Sequence, residues 1–461
     1  GGVTIFPTMT PVEDSKRGKH IPGLRPGGVT EPRTAAALIL SDLRNGLMLE
    51  PSFEKRIDGL DARDRRWIQE LVWGMLRVRG WLDAVLEVRI RGGIVRLDAD
   101  LTDLLRLGAY QLLFMGSVPP YAAIGQTVEL AKRRHGIGAS KLANAVLRRI
   151  DRERDELEPV SPADNIDAVA QRYSHPRWLV ARWMDRWSEA DVGKLLDANN
   201  AEAPIIIRPF GVVREQLEAM LEGAGVSVRE IPLVPDSLQL GAGVALTELG
   251  AFKQGLFFVQ DPGATLVALY AAVPTNATVA DLCAAPGGKA LEMSRNAKVV
   301  IACDRQAVRV DRMILGIGRV DAQNVLAIVA DATQPAIAPV DVVLVDVPCT
   351  GTGTFRRHPD ARWRLKVSDL AVMSAIQKSI LRAAATIVKP GGLLVYSTCS
   401  MEPEENDIQV DAFLAANSDF TLEPPPPGTV SAEVLDNGRL RVLPQLHGVD
   451  GAFAARLRRS V

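Results

Sequence analysis

Cysteine is scarce in this chain. There are four in 461 residues, none in a CxxC pair and all beyond residue 280. That spacing argues against a disulfide framework and a thiolate metal cluster. The five histidines are scattered and supply no other metal set, so no metal is expected. An excess of one charge is also lacking: 54 Lys and Arg face 55 Asp and Glu, for a formal net charge of −1. No global basic field advertises a polyanionic partner, and any nucleic-acid surface must be a local patch. No apolar run reaches the ~18 residues of a membrane span, and no charged-then-apolar leader opens the chain. A cytoplasmic protein without a membrane partner is expected. The start on Gly1 rather than Met points to a trimmed or engineered end. Residues 1–28 are rich in Gly and Pro, which predicts a flexible tail.

What is present is enough for two or three domains, with 47% hydrophobic residues for ordinary cores. From 29 to 160 the stretches TAAALILSDLRNG, RDRRWIQELVWGMLRVRGWLDAVL, ADLTDLLRLGAYQLLFM and ASKLANAVLRRI repeat apolar residues at i, i+3 and i+4. They predict an all-α bundle of five or more helices. Within it, residues 130–150 hold six Lys or Arg and no acid. That stretch reads either as a solvated helix face or as a phosphate-binding patch made by Lys132, Arg133, Arg134 and Lys141. From 161 to 250, helices give way to APIIIRPF, VREQLEAMLEGAG and VSVREIPL, read as strand, helix, strand in a small α/β subdomain. From 251 to 461, β runs at TVADLC, VVIACD, VLAIVAD, VDVVLVDVP and GLLVYSTC alternate with helical stretches such as SDLAVMSAIQKSILRAAATIV. Near-continuous apolar strands predict a parallel sheet covered on both faces, with ligands beyond the strands' carboxyl ends.

The polar signals of this last region fall at those ends. In ADLCAAPGGKA (280–290) a strand passes through a small-residue loop into a helix. Ala284, Ala285, Gly287 and Gly288 let backbone approach a ligand, and the helix start favours an anionic group. The GxGxxG fingerprint is absent. Asp304 lies 21 residues beyond Cys283, where nucleotide-binding units place an acid on ribose hydroxyls. Asp331 ends the next strand and could accept from an adenine amino group. Each acid alone also reads as a helix cap; three strand ends in register favour the ligand. DVPCTGTG (346–353) and STCS (397–400) each deliver a cysteine, Cys349 and Cys399, at a strand end. A lone buried cysteine is usually inert. Two at one sheet edge, near Lys289 and helix N-termini that favour thiolate, point to reactive sulfur. An adenosyl ligand plus a thiol suits methylation of pyrimidine carbon 5. A thiolate adds to carbon 6, carbon 5 becomes an enamine nucleophile toward a sulfonium methyl, an acid near N3 assists, and a base then removes the carbon-5 proton. The target base must leave its stack to react.

Together, DLCAAPGGK, DVPCTGTG and STCS resemble the motifs of the RNA cytosine-carbon-5 methyltransferases of the NSUN/RsmB group, which use S-adenosylmethionine. VQDPGA (259–264) is similar to the segment before that group's first strand. RDRRWIQELVWGMLRVRGWLD and KLANAVLRRI resemble the NusB-like RNA-binding domain of the RsmB (Fmu/Sun) type, so the resemblance covers roughly residues 30–461. It implies a multidomain chain: an all-α NusB-like domain at 29–160, a helical linker with a small RRM-like α/β subdomain at 161–250, and a Rossmann-like α/β methyltransferase domain at 251–461. It implies S-adenosylmethionine as cofactor and small-subunit (16S) ribosomal RNA as partner. By motif, Cys399 matches the nucleophile and Cys349 the cysteine that assists product release. Asp346 would sit by the cytosine ring and the methyl group. Cys283, Ala284, Ala285, Pro286, Gly287, Gly288 and Lys289 would enclose the methionine part. Asp304 would hold the ribose and Asp331 the adenine, with Arg309 assisting. DNA cytosine methyltransferases use the Pro-Cys cysteine as nucleophile, so the choice of Cys399 over Cys349 rests on the resemblance. The chain departs from the pattern at Ala290 (usually Thr), at Val347 (usually Ala), in IIIRPF, which lacks an Asn, and in DGAF (450–453). Three other readings stand beside this one. A non-catalytic RNA-binding assembly factor would need neither cysteine. A tRNA cytidine methyltransferase would use the same chemistry. An amino-methyltransferase would favour an Asn/Asp-Pro-Pro-aromatic motif, from which DVPC departs. The oligomeric state is not legible, and a monomer is the expectation.

Overall fold

A computed structural model describes residues 29–157 and 165–461. The tail read at 1–28 and the boundary read near 160 lie outside the described residues. The chain divides into two compact units: residues up to Ala201 with His358–Arg364, and Glu202–Arg357 with Leu365–Val461.

The first unit is helical. Glu31–Arg44, Leu49–Arg56, Ala62–Arg77, Arg79–Glu87, Ala99–Phe114 and Pro120–Glu153 come before residue 158. Ala62–Arg77 shows why these segments are helices. The Asp61 side chain caps the amide of Asp64, and Ile68, Leu71, Val72 and Met75 recur on one face. That face enters a core shared with Leu101, Leu104, Leu105, Val146 and Leu147. Pro120–Glu153 breaks at Gly136, whose φ of 85° is not helical, so ASKLANAVLRRI lies on its own helical segment. Ile166–Arg172, Arg177–Met184 and Glu189–Asn200 also belong to this unit, although the sequence grouped them with the small subdomain. Arg362 is fully buried here. It donates to Asn200 Oδ1 at 2.6 Å and to the Asn199 carbonyl at 2.8 Å.

The second unit opens with a small antiparallel sheet. Its strands are β1 (Ile206–Pro209), β2 (Val228–Glu230), β3 (Leu238–Leu240) and β4 (Phe257–Val259), in the order β2-β3-β1-β4. Leu217 and Leu221, from the helix Arg214–Gly223, pack with Ile207, Leu238, Leu240 and Phe257. β3 and β4 have three residues each, too few to register as runs in the sequence. β4 comes from beyond residue 250, so the sheet extends past the boundary read there.

The large sheet contains β5 (Thr278–Asp281), β6 (Val299–Asp304), β7 (Val325–Val329), β8 (Val340–Asp346), β9 (Val388–Thr398), β10 (Phe420–Leu422), β11 (Leu435–Asp436), β12 (Arg439–Val442) and β13 (Ala452–Arg459). The order is β11-β12-β13-β9-β8-β5-β6-β7, with β10 on β13. The five strands read from the sequence are mutually parallel, as expected. β10 to β13 add an antiparallel flank, so the sheet is mixed. Short, Arg-bearing strands such as RLRV hid this flank. Nor is the sheet covered on both faces throughout: at the β7 edge Leu326 and Val329 are exposed. Elsewhere the two faces alternate as a pleat requires. Val279, Val300, Val342 and Leu344 enter one core, and Ala280, Val343, Val345 and Leu394 the other. The chain runs outward through β5, β6 and β7, then restarts with β8 on the other side of β5. Such a reversal opens a crevice at the strands' carboxyl ends.

Candidate active site

All five sequence motifs meet that carboxyl edge. β5 ends at Asp281, and Gly287, at φ 108°, turns the following loop into the helix Gly288–Ser294. A side chain at that φ would be strained. Ala290 is wholly buried in this helix. The buried Arg208–Glu292 pair, with Nε to Oε2 at 3.2 Å, ties the helix to β1.

Asp281 was quoted in the motif but not singled out from the sequence. It is completely buried, and neither carboxylate oxygen has a hydrogen-bond partner. Burial pushes its carboxyl up to about 7; the Lys289 ammonium opposes the shift, and the charges of Asp346 and Asp304 add to it. The Cys283 amide also favours the ionised form, though without ordinary hydrogen-bond geometry. The sign follows from proton counts. Between the ordinary 3.8 and about 7 the folded chain holds a proton that the unfolded chain has lost. This group's contribution to stability therefore falls as pH rises through that window and levels off above it. Asp281→Asn should remove the fall. Urea midpoints of native and variant protein should diverge from about pH 4 to about pH 7, with the variant the more stable at the higher pH. Parallel curves would refute this.

Asp304, at the end of β6, is buried. Its Oδ2 lies 3.0 Å from Arg309, and its Oδ1 accepts from the Gln306 amide at 3.0 Å. Arg309 also donates to the Ala285 carbonyl at 2.9 Å, joining acid, arginine and glycine loop. Asp331 follows β7 and is exposed. The Thr333 amide and hydroxyl, at 2.8 and 2.7 Å, hold its carboxyl below the usual range. It caps a turn rather than a helix.

Asp346 ends β8. It accepts from Lys289 Nζ at 2.7 Å and from Ser397 Oγ at 2.8 Å. Burial works against the Lys289 charge, but Asp346, Asp281 and the Cys399 sulfur outweigh it and raise the group above the ordinary lysine range. β8 and β9 are parallel neighbours with Asp346 opposite Ser397, so the residues just beyond come together. Cys349 Sγ and Cys399 Sγ are 3.2 Å apart. The Cys349 thiol is held well above its usual range by its hydrogen bond to Cys399 and by burial, with Glu405 and Asp346 adding. The other two cysteines stand apart. Burial pushes Cys303 up to about 12, and its Sγ lies near the Ile301 carbonyl. Burial and three nearby carboxylates likewise raise Cys283.

The DGAF motif has a steric explanation. The Gly353 amide donates to the Cys399 carbonyl at 3.0 Å, and the Gly451 amide to the Gly353 carbonyl at 2.8 Å. A Cβ on Gly353 would lie 2.6 Å from Cys399 O and 2.8 Å from Gly451 Cα. In VQDPGA, Asp261 caps the helix Pro262–Tyr270 and accepts from Arg356 at 3.0 Å and Arg357 at 2.7 Å. Sequence reasoning also missed Glu405 and Gln377, both wholly buried beside the cysteine loops. Nothing in MEPEEN separates Glu405 from its acidic neighbours.

The basic stretch lies in the helical unit. Lys132 and Lys141 are exposed. Arg133 pairs with Glu129 at 2.8 Å, and Arg134 with Asp100 at 3.2 Å. Acids from outside the stretch thus partly neutralise it. Among the described residues no helix is long and apolar enough to cross a membrane, and no group of three or more His, Cys, Asp or Glu could hold a metal ion.

Three family models match the chain: 16S rRNA methyltransferase RsmB/F over residues 268–458, the NusB family over 30–152, and the ferredoxin-like domain of the RsmF/B-like methyltransferases over 175–247. The probable ribosomal RNA small subunit methyltransferase B of Synechocystis sp. is 32% identical over 445 residues, which are 93% of this chain and 99% of that protein. The ribosomal RNA small subunit methyltransferase B of Pasteurella multocida is 33% identical over 446 residues, 93% of this chain and 95% of its own. Among solved structures, PH0851 aligns with a TM-score of 0.77 at 26% identity, covering 94% of this chain and 99% of its own. A methyltransferase homolog protein from Pyrococcus horikoshii aligns with a TM-score of 0.56 at 25% identity, covering 64% and 99%.

Proposed function

This chain belongs to the 16S rRNA methyltransferase RsmB/F family, and from that premise we propose that it methylates carbon 5 of a cytidine in small-subunit ribosomal RNA through a transient Cys399–cytosine bond. The observation that carries the reading is the pair of sulfurs 3.2 Å apart beyond two adjacent parallel strands. A protein that only bound RNA would need neither.

S-adenosylmethionine, when bound, supplies the electrophilic methyl group that carbon 5 accepts. The residues at the crevice fit it. Asp281 offers a buried carboxylate with no partner, suited to a cationic group. Asp304 offers an acceptor for ribose hydroxyls and Asp331 one for the adenine amino group. The loop from Cys283 to Lys289, braced by Arg309, would enclose the methionine part.

The two thiols divide the work. We assign the proton of the pair to Cys349, whose thiol is held well above its usual range by its bond to Cys399 and by burial. In this assignment it donates S–H toward Cys399, and the Lys289 charge lies close enough to interact with the Cys399 sulfur. The nucleophile is the Cys399 thiolate, the reactive form of a cysteine. That thiolate adds to carbon 6, and the ring's double-bond pair becomes available at carbon 5. Asp346 would serve the N3 side of the ring, relaying a proton from the Lys289 ammonium to N3 as carbon 6 is attacked and taking it back when the ring double bond returns. Once Cys399 is a thioether its charge is gone and its hold on the Cys349 proton weakens. After carbon 5 has taken the methyl group, Cys349 gives its proton to solvent and, as thiolate, accepts the carbon-5 proton. The carbon 6–sulfur bond breaks, the ring double bond returns, and Cys399 leaves as thiolate.

Bisulfite mapping of 16S ribosomal RNA from cells with and without the gene tests the proposal. One or a few cytidines should resist conversion only when the protein is present; identical maps would defeat it. The cytoplasm, where that RNA is assembled, is the proposed place of action.

We place RNA contacts on Lys132, Arg133, Arg134 and Lys141. Because Glu129 and Asp100 already pair with the arginines, Lys132→Ala with Lys141→Ala should carry most of the loss. The slope of log affinity against log salt should shrink by about 1 to 2 units. Unchanged affinity at low salt would make this a solvated face.

A further inference from the structure

Glu405 ends the short turn Pro403–Glu405 that follows the STCS loop, and its side chain is wholly buried. Its carboxylate receives four donors. Oε1 accepts from the Thr350 amide at 2.9 Å and from Gln377 Nε2 at 2.9 Å. Oε2 accepts from the hydroxyls of Thr350 and Ser400. Thr350 follows Cys349 in the chain, and Ser400 follows Cys399. One carboxylate thus spans both loops that carry the sulfurs. Gln377, on the helix Val367–Thr386, adds a second tie by donating to the Pro348 carbonyl at 3.0 Å. Tyr396 donates its hydroxyl to the Glu405 carbonyl at 2.6 Å.

A carboxylate suits this place because its oxygens accept, and four donors converge on them. The arrangement costs the protein a buried acid, which is tolerated only when its hydrogen bonds are satisfied. Resting on the roles given above to the two thiols, we propose that Glu405 is a positioning residue: by binding the neighbour of each cysteine, it fixes the separation of Cys349 and Cys399. It acts through those loops and not on the RNA. A misplacement of about 1 Å between reacting groups costs on the order of 10²-fold in rate.

The test uses full-length Glu405→Asp, Glu405→Gln and Ser400→Ala. Methylation of 16S ribosomal RNA gives kcat and KM. Capture of phenylarsine oxide, which bridges two neighbouring thiols, reports the sulfur spacing without any methyl transfer. Aspartate is one methylene too short to hold both loops. It should lower kcat on the order of 10²-fold, with KM for RNA within about twofold, and slow arsenical capture in parallel. Glutamine has the native length. Its carbonyl can serve the Thr350 amide and Gln377, while the two hydroxyls turn to accept from its NH₂. It should recover most of both readings. Ser400→Ala, which deletes one donor, should show a smaller loss in both.

Native kcat in the aspartate variant would overturn the proposal. So would a lost kcat with arsenical capture at the native rate, which uncouples Glu405 from the sulfur spacing, or with cofactor binding lost in step, which makes it merely structural. The thiol chemistry fails separately: an active Cys399→Ala would sink it while leaving arsenical capture by the native chain intact.

Discussion

Cys399→Ala is expected to lose methyl transfer by on the order of 10⁴-fold or more, the scale on which a covalent nucleophile is missed. Carbon 5 of cytosine is a poor nucleophile until carbon 6 carries a sulfur, so the loss falls on kcat. Cys349 cannot substitute. Its thiol is held protonated by its bond to Cys399, by burial and by the carboxylates of Glu405 and Asp346. In the variant the bond is gone, but burial and both acids remain. Binding of S-adenosylmethionine should be nearly unchanged, because Asp281, Asp304 and the Gly287 turn lie on β5, β6 and the loop after β5. Transfer of a labelled methyl group to 16S ribosomal RNA, with calorimetry for the cofactor, makes the measurement. Turnover within about tenfold of native would reassign the nucleophile.

Cys349→Ala should do the reverse and trap what the native protein releases. Cys399 can still add to carbon 6, and carbon 5 can still be methylated. What is missing is the sulfur, 3.2 Å from Cys399, that helps take the carbon-5 proton. Multiple turnover should fall on the order of 10²-fold or more, as for loss of a positioned base. A protein–RNA complex that survives denaturation should build up and run as a shifted band on a denaturing gel. The double variant with Cys399→Ala should show no such band. Free protein alone in the Cys349 variant would remove that residue from the release step.

Much of this was legible before the fold was known, for definable reasons. β5, β6, β8 and β9 are apolar runs because both their faces are covered, and β7 is another although its edge lies open. Each chemical motif sits where such a run stops, so strand ends announced the site. Asp281 and Glu405 escaped because burial made them special and their sequence context did not. An acid that ends a strand looks like any cap until its oxygens prove partnerless. The antiparallel flank and β3 and β4 escaped because two to four residues carry too little periodicity, and AFAARLRR reads as surface although most of it is buried. The basic stretch was legible only in part. Its six cations read equally as a solvated face or a phosphate-binding patch, and their acidic partner Asp100, far along the chain, reaches Arg134 only in the folded helices.

The crossing of Gly353 over Gly451 bears on when the protein becomes active during its synthesis. β13 lies between β12 and β9, and Phe453 sits opposite Thr398, the residue before the nucleophilic sulfur. A ribosome that has reached residue 450 has already made both thiols, the glycine turn and every acid of the crevice. Yet nothing then closes the strand that presents Cys399. The nascent enzyme should stay silent until residues 451–459 have left the exit tunnel.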